Sequence, residues 1–186
     1  MLTPAAFLLQ GVVLLLLLGT SAFFSLSETA MIAVKRPQVR ALAQQGNGRA
    51  RLLDRMLDEP ERILGTVLVG NNLVNITAAT IATVVSVAMF PGNGAIIASV
   101  VMTVLVIVLC EITPKTISVR NPMPIALAVA YPLFVIERML KPVIWVATWI
   151  GKTFARLLGV KAEGTAPYIT QEEIQMIVEE GVQSGE

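Results

Sequence analysis

The sequence predicts an all-α integral membrane protein with three transmembrane helices and further helices at the membrane surface. Of its 186 residues, 55 % are hydrophobic and only 15 % are charged, whereas about a quarter of the residues in a soluble domain are charged. Three stretches are each long enough to cross a hydrocarbon core of roughly 30 Å, which takes about 20 helical residues. These observations place the chain among membrane proteins before any motif is considered.

The three spans are predicted near residues 5–32, 63–90 and 95–119. The sequence Pro-Gly-Asn-Gly at residues 91–94 indicates a tight turn, so the last two spans should form an antiparallel hairpin. Residues 36–60, which connect the first two spans, are predicted to form juxtamembrane helices.

Basic residues mark one side of the membrane. The connection between the first two spans carries Lys35, Arg36, Arg40, Arg49, Arg51, Arg55 and Arg62. The other side offers only residues 1–4 and the turn, which contain no basic residue. The positive-inside rule therefore predicts an outside N-terminus and a cytoplasmic C-terminus, and we expect a multi-pass protein of the plasma (inner) membrane.

The segment of residues 121–158 is apolar enough to be considered as a fourth span, but four prolines and three charged residues midway interrupt it. A fourth span would also leave Lys152, Arg156 and Lys161 outside, against the charge rule. We therefore expect two shorter juxtamembrane helices here, lying at the cytoplasmic interface or packed around the spans.

Residues 1–160 thus form the predicted transmembrane domain, and residues 161–186 the start of an acidic cytoplasmic helical segment. In that segment Thr170 and Glu173 have the spacing of a capping box at a helix start. We expect the chain to be truncated before cytoplasmic regulatory domains.

The spans carry polar groups that a simple membrane anchor would not need. In the first span Ser21 and Ser25 share a helix face, and in the second Asn71 and Asn75 lie one turn apart, with Asn72 at the edge of their face. At about 1.5 Å per residue these groups reach similar depths in the cytoplasmic half, so they could meet.

The third span places the carboxylate of Glu111 three residues before Pro114. A proline removes the hydrogen bond to the carbonyl four residues earlier, which belongs to Cys110. That carbonyl needs another partner, because an unsatisfied backbone group in hydrocarbon costs several kcal/mol. Pro114 and Gly70 are the positions at which we expect local helix distortion.

These hydroxyl, amide, carbonyl and carboxylate oxygens are the ligands of a hard cation such as Mg²⁺. The chain has no His and a single thiol, so an imidazole or thiolate metal site is excluded, and an intramembrane enzyme is disfavoured. A net charge of +1 argues against nucleic acid as a partner. The sequence therefore predicts an oxygen-only cation site around Glu111.

Simpler interpretations exist for each group. A single Ser or Asn in a membrane helix often serves packing or interhelical hydrogen bonding. Glu111 could form a salt bridge with Lys115, four residues later. Because Lys115 lies near the cytoplasmic end and can extend to water, we favour a functional role for Glu111.

Three motifs resemble the transmembrane domain of the CorC / cyclin M (CNNM) magnesium transporter family. They are Ser-Leu-Ser-Glu-Thr-Ala from Ser25, Gly-Asn-Asn-Leu-Val-Asn-Ile from Gly70, and Glu-Ile-Thr-Pro-Lys from Glu111. The motifs follow the order of the family, one in each span, and the resemblance covers nearly the whole chain.

The resemblance implies a homodimer in the lipid bilayer with an inward-facing Mg²⁺ site in each subunit. It also implies Na⁺-coupled Mg²⁺ export, and regulation by ATP only through cytoplasmic domains outside this chain. Carried onto this sequence, it implies Ser25, Asn75 and Glu111 as ligands, with further candidates in Ser21, Asn71, Asn72 and the backbone carbonyl of Cys110. The choice among the three asparagines stays open.

A different class of function is a Mg²⁺-sensing scaffold that regulates a cytoplasmic domain without moving the ion. A transport path should carry polar groups beyond the site as well. On the outer side the sequence offers only a thin polar stripe, formed by Thr77, Thr80, Thr83, Ser86, Ser99 and Thr103.

Overall fold

The computed structural model describes residues 4–157, which are helical throughout apart from short turns. Contacts divide the chain into two units, residues 1–146 and residues 147–186, and the described part of the second consists of the final turns of the last helix. The helices are α1 (Pro4–Ala33), α2 (Arg36–Gln44), α3 (Gly48–Leu57), α4 (Pro60–Met89), α5 (Gly94–Leu105), a π-helical segment (Val106–Ile112), α6 (Thr113–Arg120) and α7 (Pro122–Leu157).

Four helical stretches among the described residues are long and apolar enough to cross a membrane. The predicted spans 5–32 and 95–119 lie inside two of them, and the predicted span 63–90 overlaps a third. The four stretches are Pro4–Ala33, Pro60–Met89, Gly94–Arg120 and Pro122–Gly151. The expected fold class, an all-helical membrane protein, is therefore confirmed.

The segment after Asn121 differs from the prediction. The expected two short helices are a single helix, α7, with Pro132 and Pro142 in its interior. A proline in a helix loses one hydrogen bond, and neighbouring groups in a packed membrane protein can satisfy the freed carbonyl. The prolines therefore do not divide this segment, and the inference from their spacing was wrong.

Helices α2 and α3 form an antiparallel pair at one end of the bundle, which we call the basic end. Asn47 is the N-cap of α3, and its Oδ1 accepts hydrogen bonds from the backbone N–H groups of Arg49 (3.0 Å) and Ala50 (3.1 Å). Exposed ion pairs also join the two helices, including Arg40 Nε to Asp54 Oδ1 at 3.4 Å. Such exposed pairs contribute little to stability, so the cap and the buried face fix this end.

The opposite end of the bundle is the turn between α4 and α5, which we call the turn end. Gly92 adopts a φ of +97° there, a conformation that L-residues with a side chain rarely adopt. The turn therefore reverses the chain within a few residues, and α5 returns beside α4.

Two apolar clusters stabilise the bundle. The larger cluster, at the basic end, joins α1, α2, α3, α4 and α7 through Phe24, Ala30, Met31, Val34, Val39, Leu53, Met56, Ile63, Val67, Ala126, Ala130 and Leu133. The smaller cluster, which we call the hydrophobic layer, lies nearer the turn end. It comprises Ala78, Ala82 and Met102, packed against Leu14, Leu17, Leu18, Leu105 and Val106.

Gly70 of α4 packs against the ring of Phe24 on α1. The expected helix distortion is absent, because α4 is α-helical from Pro60 to Met89. A Cβ atom on Gly70 would instead lie 2.3 Å from Cζ of the buried Phe24 ring. Glycine is needed here for close packing, which holds α1 against the part of α4 that carries the asparagines.

We predict that Gly70→Ala lowers the free energy of unfolding by roughly 1–3 kcal/mol, because the Phe24 ring must move out of a packed site. The measurement is thermal unfolding of the detergent-solubilised protein. Gly65→Ala is the matched control in the same helix, since a Cβ there would sit 3.6 Å from Ile144 Cγ2, an ordinary contact. Adding Phe24→Leu to Gly70→Ala should recover part of the loss. Equal effects of the two glycine substitutions would contradict the packing role.

Candidate cation site

A hydrogen bond between the buried Ser21 and the half-buried Asn71 joins α1 to α4. The Ser21 hydroxyl donates to Oδ1 of Asn71 at 2.9 Å, and Ser21 has no exposed surface. One turn further along α4, Nδ2 of Asn75 points to the same Asn71 oxygen at 3.5 Å, a weak bond at most. Asn71 is therefore an acceptor whose oxygen is already occupied.

Asn75 differs from Asn71 in its oxygen. Oδ1 of Asn75 is buried and has no hydrogen-bond partner. Leaving an amide oxygen unsatisfied in this way costs about 1–3 kcal/mol. A buried oxygen with free lone pairs is suited to accept a cation.

Three side chains make hydrogen bonds to backbone carbonyls between the third span and α1. The Ser25 hydroxyl donates to the backbone carbonyl of Glu111 at 3.4 Å, and Ser118 donates to the carbonyl of Leu26 at 2.8 Å. The buried thiol of Cys110 lies 3.4 Å from the carbonyl of Leu18. These links fix the position of the Glu111 backbone against the serine face of α1.

The helix containing Glu111 is π-helical just before Pro114. In residues Val106–Ile112 the backbone hydrogen bonds reach back five residues rather than four. The last of them runs from the N–H of Thr113 to the carbonyl of Val108, and the Thr113 hydroxyl donates to the same oxygen at 2.7 Å.

This register changes which carbonyls near Glu111 have a backbone donor. The carbonyl of Leu109 could accept from Thr113 in the α register or from Pro114 in the π register. Thr113 is already bonded to Val108, and Pro114 has no N–H. Cys110 also loses its α-register donor at Pro114, but in the π register its donor is the N–H of Lys115. The sequence predicted that the Cys110 carbonyl is freed, whereas the π register removes both donors from the carbonyl of Leu109.

The carboxylate of Glu111 is partly buried, and within residues 4–157 no salt bridge to it is formed. Lys115, its proposed partner, instead places Nζ 3.2 Å from Oε2 of Glu28 on α1. The alternative that Glu111 forms a salt bridge with Lys115 therefore does not apply. A carboxylate at membrane depth without a protein cation is expensive unless another cation neutralises it.

The structure places Ser21 and Ser25 of α1 in two hydrogen-bonded groups: Ser21 and Asn75 both contact Oδ1 of Asn71, and Ser25 donates to the Glu111 carbonyl. Asn72 is exposed, which separates it from the half-buried Asn71 and Asn75. Within the described residues no three His, Cys, Asp or Glu side chains come together as a metal cluster. The candidate site thus combines neutral oxygens with one carboxylate, an arrangement suited to a hard cation that retains several of its waters.

A cavity of about 420 Å³ extends from Asn75 towards the turn end, between α4 and α5. Its polar lining beyond Asn75 consists of Thr83, Ser99 and Thr103. Thr83 and Thr103 each donate their hydroxyl to a carbonyl of their own helix, so their oxygens keep free lone pairs. Part of the polar stripe noted in the sequence therefore lines a space that begins at the site.

Comparison with known proteins supports the resemblance seen in the motifs. The profile of the family described as cyclin M transmembrane N-terminal domain matches residues 12–186. A UPF0053 inner membrane protein of Escherichia coli, YfjD, is 35 % identical over 86 % of this chain and 38 % of its own length. A UPF0053 protein of Haemophilus influenzae is 31 % identical over 91 % of this chain and 40 % of its own.

A chloroplastic DUF21 domain-containing protein of Arabidopsis thaliana is 36 % identical over 95 % of this chain and 27 % of its own length. The chain therefore spans two fifths or less of the length of these relatives.

We predict that Asn75→Leu leaves the stability of the cation-free protein unchanged or raises it, because the substitution removes a buried oxygen that has no partner. Asn71→Leu is the matched comparison one turn away. It should lower the free energy of unfolding by about 1–3 kcal/mol, because it removes the acceptor of Ser21. Thermal unfolding without divalent cations measures both. A loss of stability in Asn75→Leu equal to that in Asn71→Leu would show that Asn75 is a packing residue.

Proposed function

The chain belongs to the cyclin M transmembrane domain family, and on that premise we propose that it is the membrane domain of a Mg²⁺ transporter. In this proposal the ion is bound inside the bilayer by Asn75, Ser25 and the Glu111 carboxylate. Ser21 and Asn71 hold Asn75 in place, and the carbonyls of Leu109 and Cys110 are further oxygens within reach of the same region.

The unpaired Oδ1 of Asn75 is the observation that supports this proposal most directly. In a helix that only spans the membrane, leucine at this position would avoid the cost of the buried oxygen. The cost is recovered if a cation binds there, since Mg²⁺ takes oxygen ligands and keeps several waters. Glu111 supplies the negative charge that such an ion needs in a medium of low dielectric constant.

We propose that α1, α4 and the continuous stretch Gly94–Arg120 cross the membrane, whereas α7 lies along the basic end. Ala126 and Leu133 pack in the cluster that includes residues of α2 and α3. Further along α7, Glu137 is buried and pairs with Arg62 at 2.6 Å, and Ile144 lies beside Gly65. These contacts of residues 126–144 lie at one end of the spans, which favours a belt over a fourth crossing.

The basic residues of α2 and α3 favour a cytoplasmic location of the basic end, with the N-terminus outside and the site open towards the cytoplasm. We propose the plasma membrane as its location in a bacterial cell, as the name of the Escherichia coli relative states for that protein. Export of Mg²⁺ coupled to Na⁺, a homodimeric assembly and regulation through cytoplasmic domains are parts of the proposal drawn from the family.

The hydrophobic layer favours a second candidate function. Leu14, Leu17 and Met102 fill the space between α1, α4 and α5 on the turn side of the site, beside the cavity between α4 and α5. A site closed on one side also suits a Mg²⁺ sensor, in which binding changes a cytoplasmic domain while no ion crosses. Mg²⁺ flux in proteoliposomes separates the two functions. Flux that depends on Glu111 supports transport, whereas intact binding without flux would leave only the sensor.

We predict that Glu111→Gln weakens Mg²⁺ binding by roughly two orders of magnitude or more, because the buried ion loses its only carboxylate partner. The measurement is the Mg²⁺-induced increase of the unfolding temperature, which should disappear in this variant at concentrations that saturate the wild type. Ser27→Ala is the control. Ser27 is equally deep and buried, but its hydroxyl donates to the Phe23 carbonyl of its own helix. An undiminished shift in Glu111→Gln would remove Glu111 from the site.

A further inference from the structure

A second buried side-chain oxygen without a partner lies on α1, far from the site described above. Among the described residues, two buried side-chain oxygens have no hydrogen-bond partner, Oδ1 of Asn75 and Oε1 of Gln10. Both are amide oxygens inside a membrane span. The proposed cation site explains the first and gives no role to the second.

Gln10 lies on the helix face that leads to the site. Counting from Gln10, intervals of four, three and four residues reach Leu14, Leu17 and Ser21, so these residues share one face of α1. Leu14 and Leu17 belong to the hydrophobic layer, and Ser21 to the site. Gln10 is therefore the first polar residue on this face beyond the layer, roughly 16 Å from Ser21 along the helix axis.

By residue count, Gln10 lies at the level of Thr83 along the bundle, although the described lining of the cavity comes from α4, α5 and the π-helical segment and not from α1. Ser21 contacts Asn71, and α4 runs antiparallel to α1. Eleven residues back along α1 therefore correspond to eleven residues forward along α4, which leads to the level of Ala82 and Thr83. Thr83 and Ser99 line the cavity that begins at Asn75. Polar oxygens are thus present on both sides of the layer, at two distinct depths.

The packing of the bundle does not explain why residue 10 is a glutamine. Its oxygen is buried without a partner, and a leucine of similar size would pack against Leu14 without that cost. Polar residues within membrane spans that lack a structural partner commonly mark ion pathways.

We propose that Gln10 supplies a second cation ligand on the turn side of the hydrophobic layer, where a hard divalent cation is held between the layer and the outer solution. This inference rests on the proposed transport and extends it. The ion then has two binding positions, at Asn75 and at Gln10, and the layer of Leu14, Leu17 and Met102 is the barrier between them. Opening of the layer exchanges the ion between the two positions.

The test is Mg²⁺ flux in proteoliposomes containing the whole chain, with a Mg²⁺-sensitive dye on one side. Gln10→Leu should reduce the flux about tenfold, as expected for the loss of one ligand to a charged group. Its Mg²⁺-induced thermal shift should equal that of the wild type, because the site at Asn75 is intact. Its unfolding temperature without Mg²⁺ should not fall, because no hydrogen bond is lost.

Two further variants control this result. Gln10→Glu keeps an oxygen ligand and should retain the flux. Thr20→Val also replaces a polar side chain of α1, but the Thr20 hydroxyl donates to the Leu16 carbonyl of its own helix, so its flux should be unchanged.

Each outcome bears on the inference. Wild-type flux in Gln10→Leu, or an equal loss in Thr20→Val, would overturn it while leaving the proposed transport intact. A loss of flux accompanied by a lower unfolding temperature in Gln10→Leu would assign Gln10 to packing and also overturn it. Absence of flux in the wild type would overturn both the transport and the role of Gln10.

Discussion

In the hydrocarbon core no water is available to hydrogen-bond an unpaired polar group, so every backbone N–H and C=O needs another partner. The candidate site depends on how this requirement is satisfied around Pro114. The proline has no N–H, and the π-helical turns before it shift the hydrogen bonds by one residue. The carbonyl of Leu109, two residues before Glu111, thereby loses its α-register and π-register donors, and the carbonyl of Cys110 loses its α-register donor. Ser25 holds this stretch against α1. Oxygen atoms are thereby concentrated at one depth, where a cation can satisfy them.

Most polar residues of the spans make one of two kinds of hydrogen bond, either to their own helix or to another helix. Threonines such as Thr77 and Thr80 donate to carbonyls of their own helix and need no further partner. Ser21 and Asn71 satisfy each other across two helices. The oxygen of Asn75 belongs to neither arrangement, although Asn75 is the same residue type as Asn71 and lies one turn away on the same helix. The two amides therefore differ in their hydrogen-bond partners.

The sequence predicted the long apolar helices well, because hydrophobic length and flanking charge define a span without tertiary information. It failed after Asn121, where prolines indicated breaks that the packed helix α7 tolerates, and where the partner of Glu137 is Arg62 on another helix. In the site, helical periodicity grouped Ser21 with Ser25 and left the asparagines unresolved, because only the position of α1 determines which amide it meets. The π-helical register could not be predicted, because a shift of the backbone hydrogen bonds by one residue does not change the sequence pattern of an apolar segment.

The most direct test of the account is a structure of the protein with Mn²⁺ in place of Mg²⁺, in which anomalous scattering locates the ion. The account predicts one ion per chain beside Pro114, within the span, with Oδ1 of Asn75 and the Glu111 carboxylate as ligands at a distance close to the value of about 2.0–2.1 Å for Mg²⁺. The absence of an ion at Asn75 and Glu111, or an Asn75 oxygen that turns to a protein donor while the ion is bound, would contradict it.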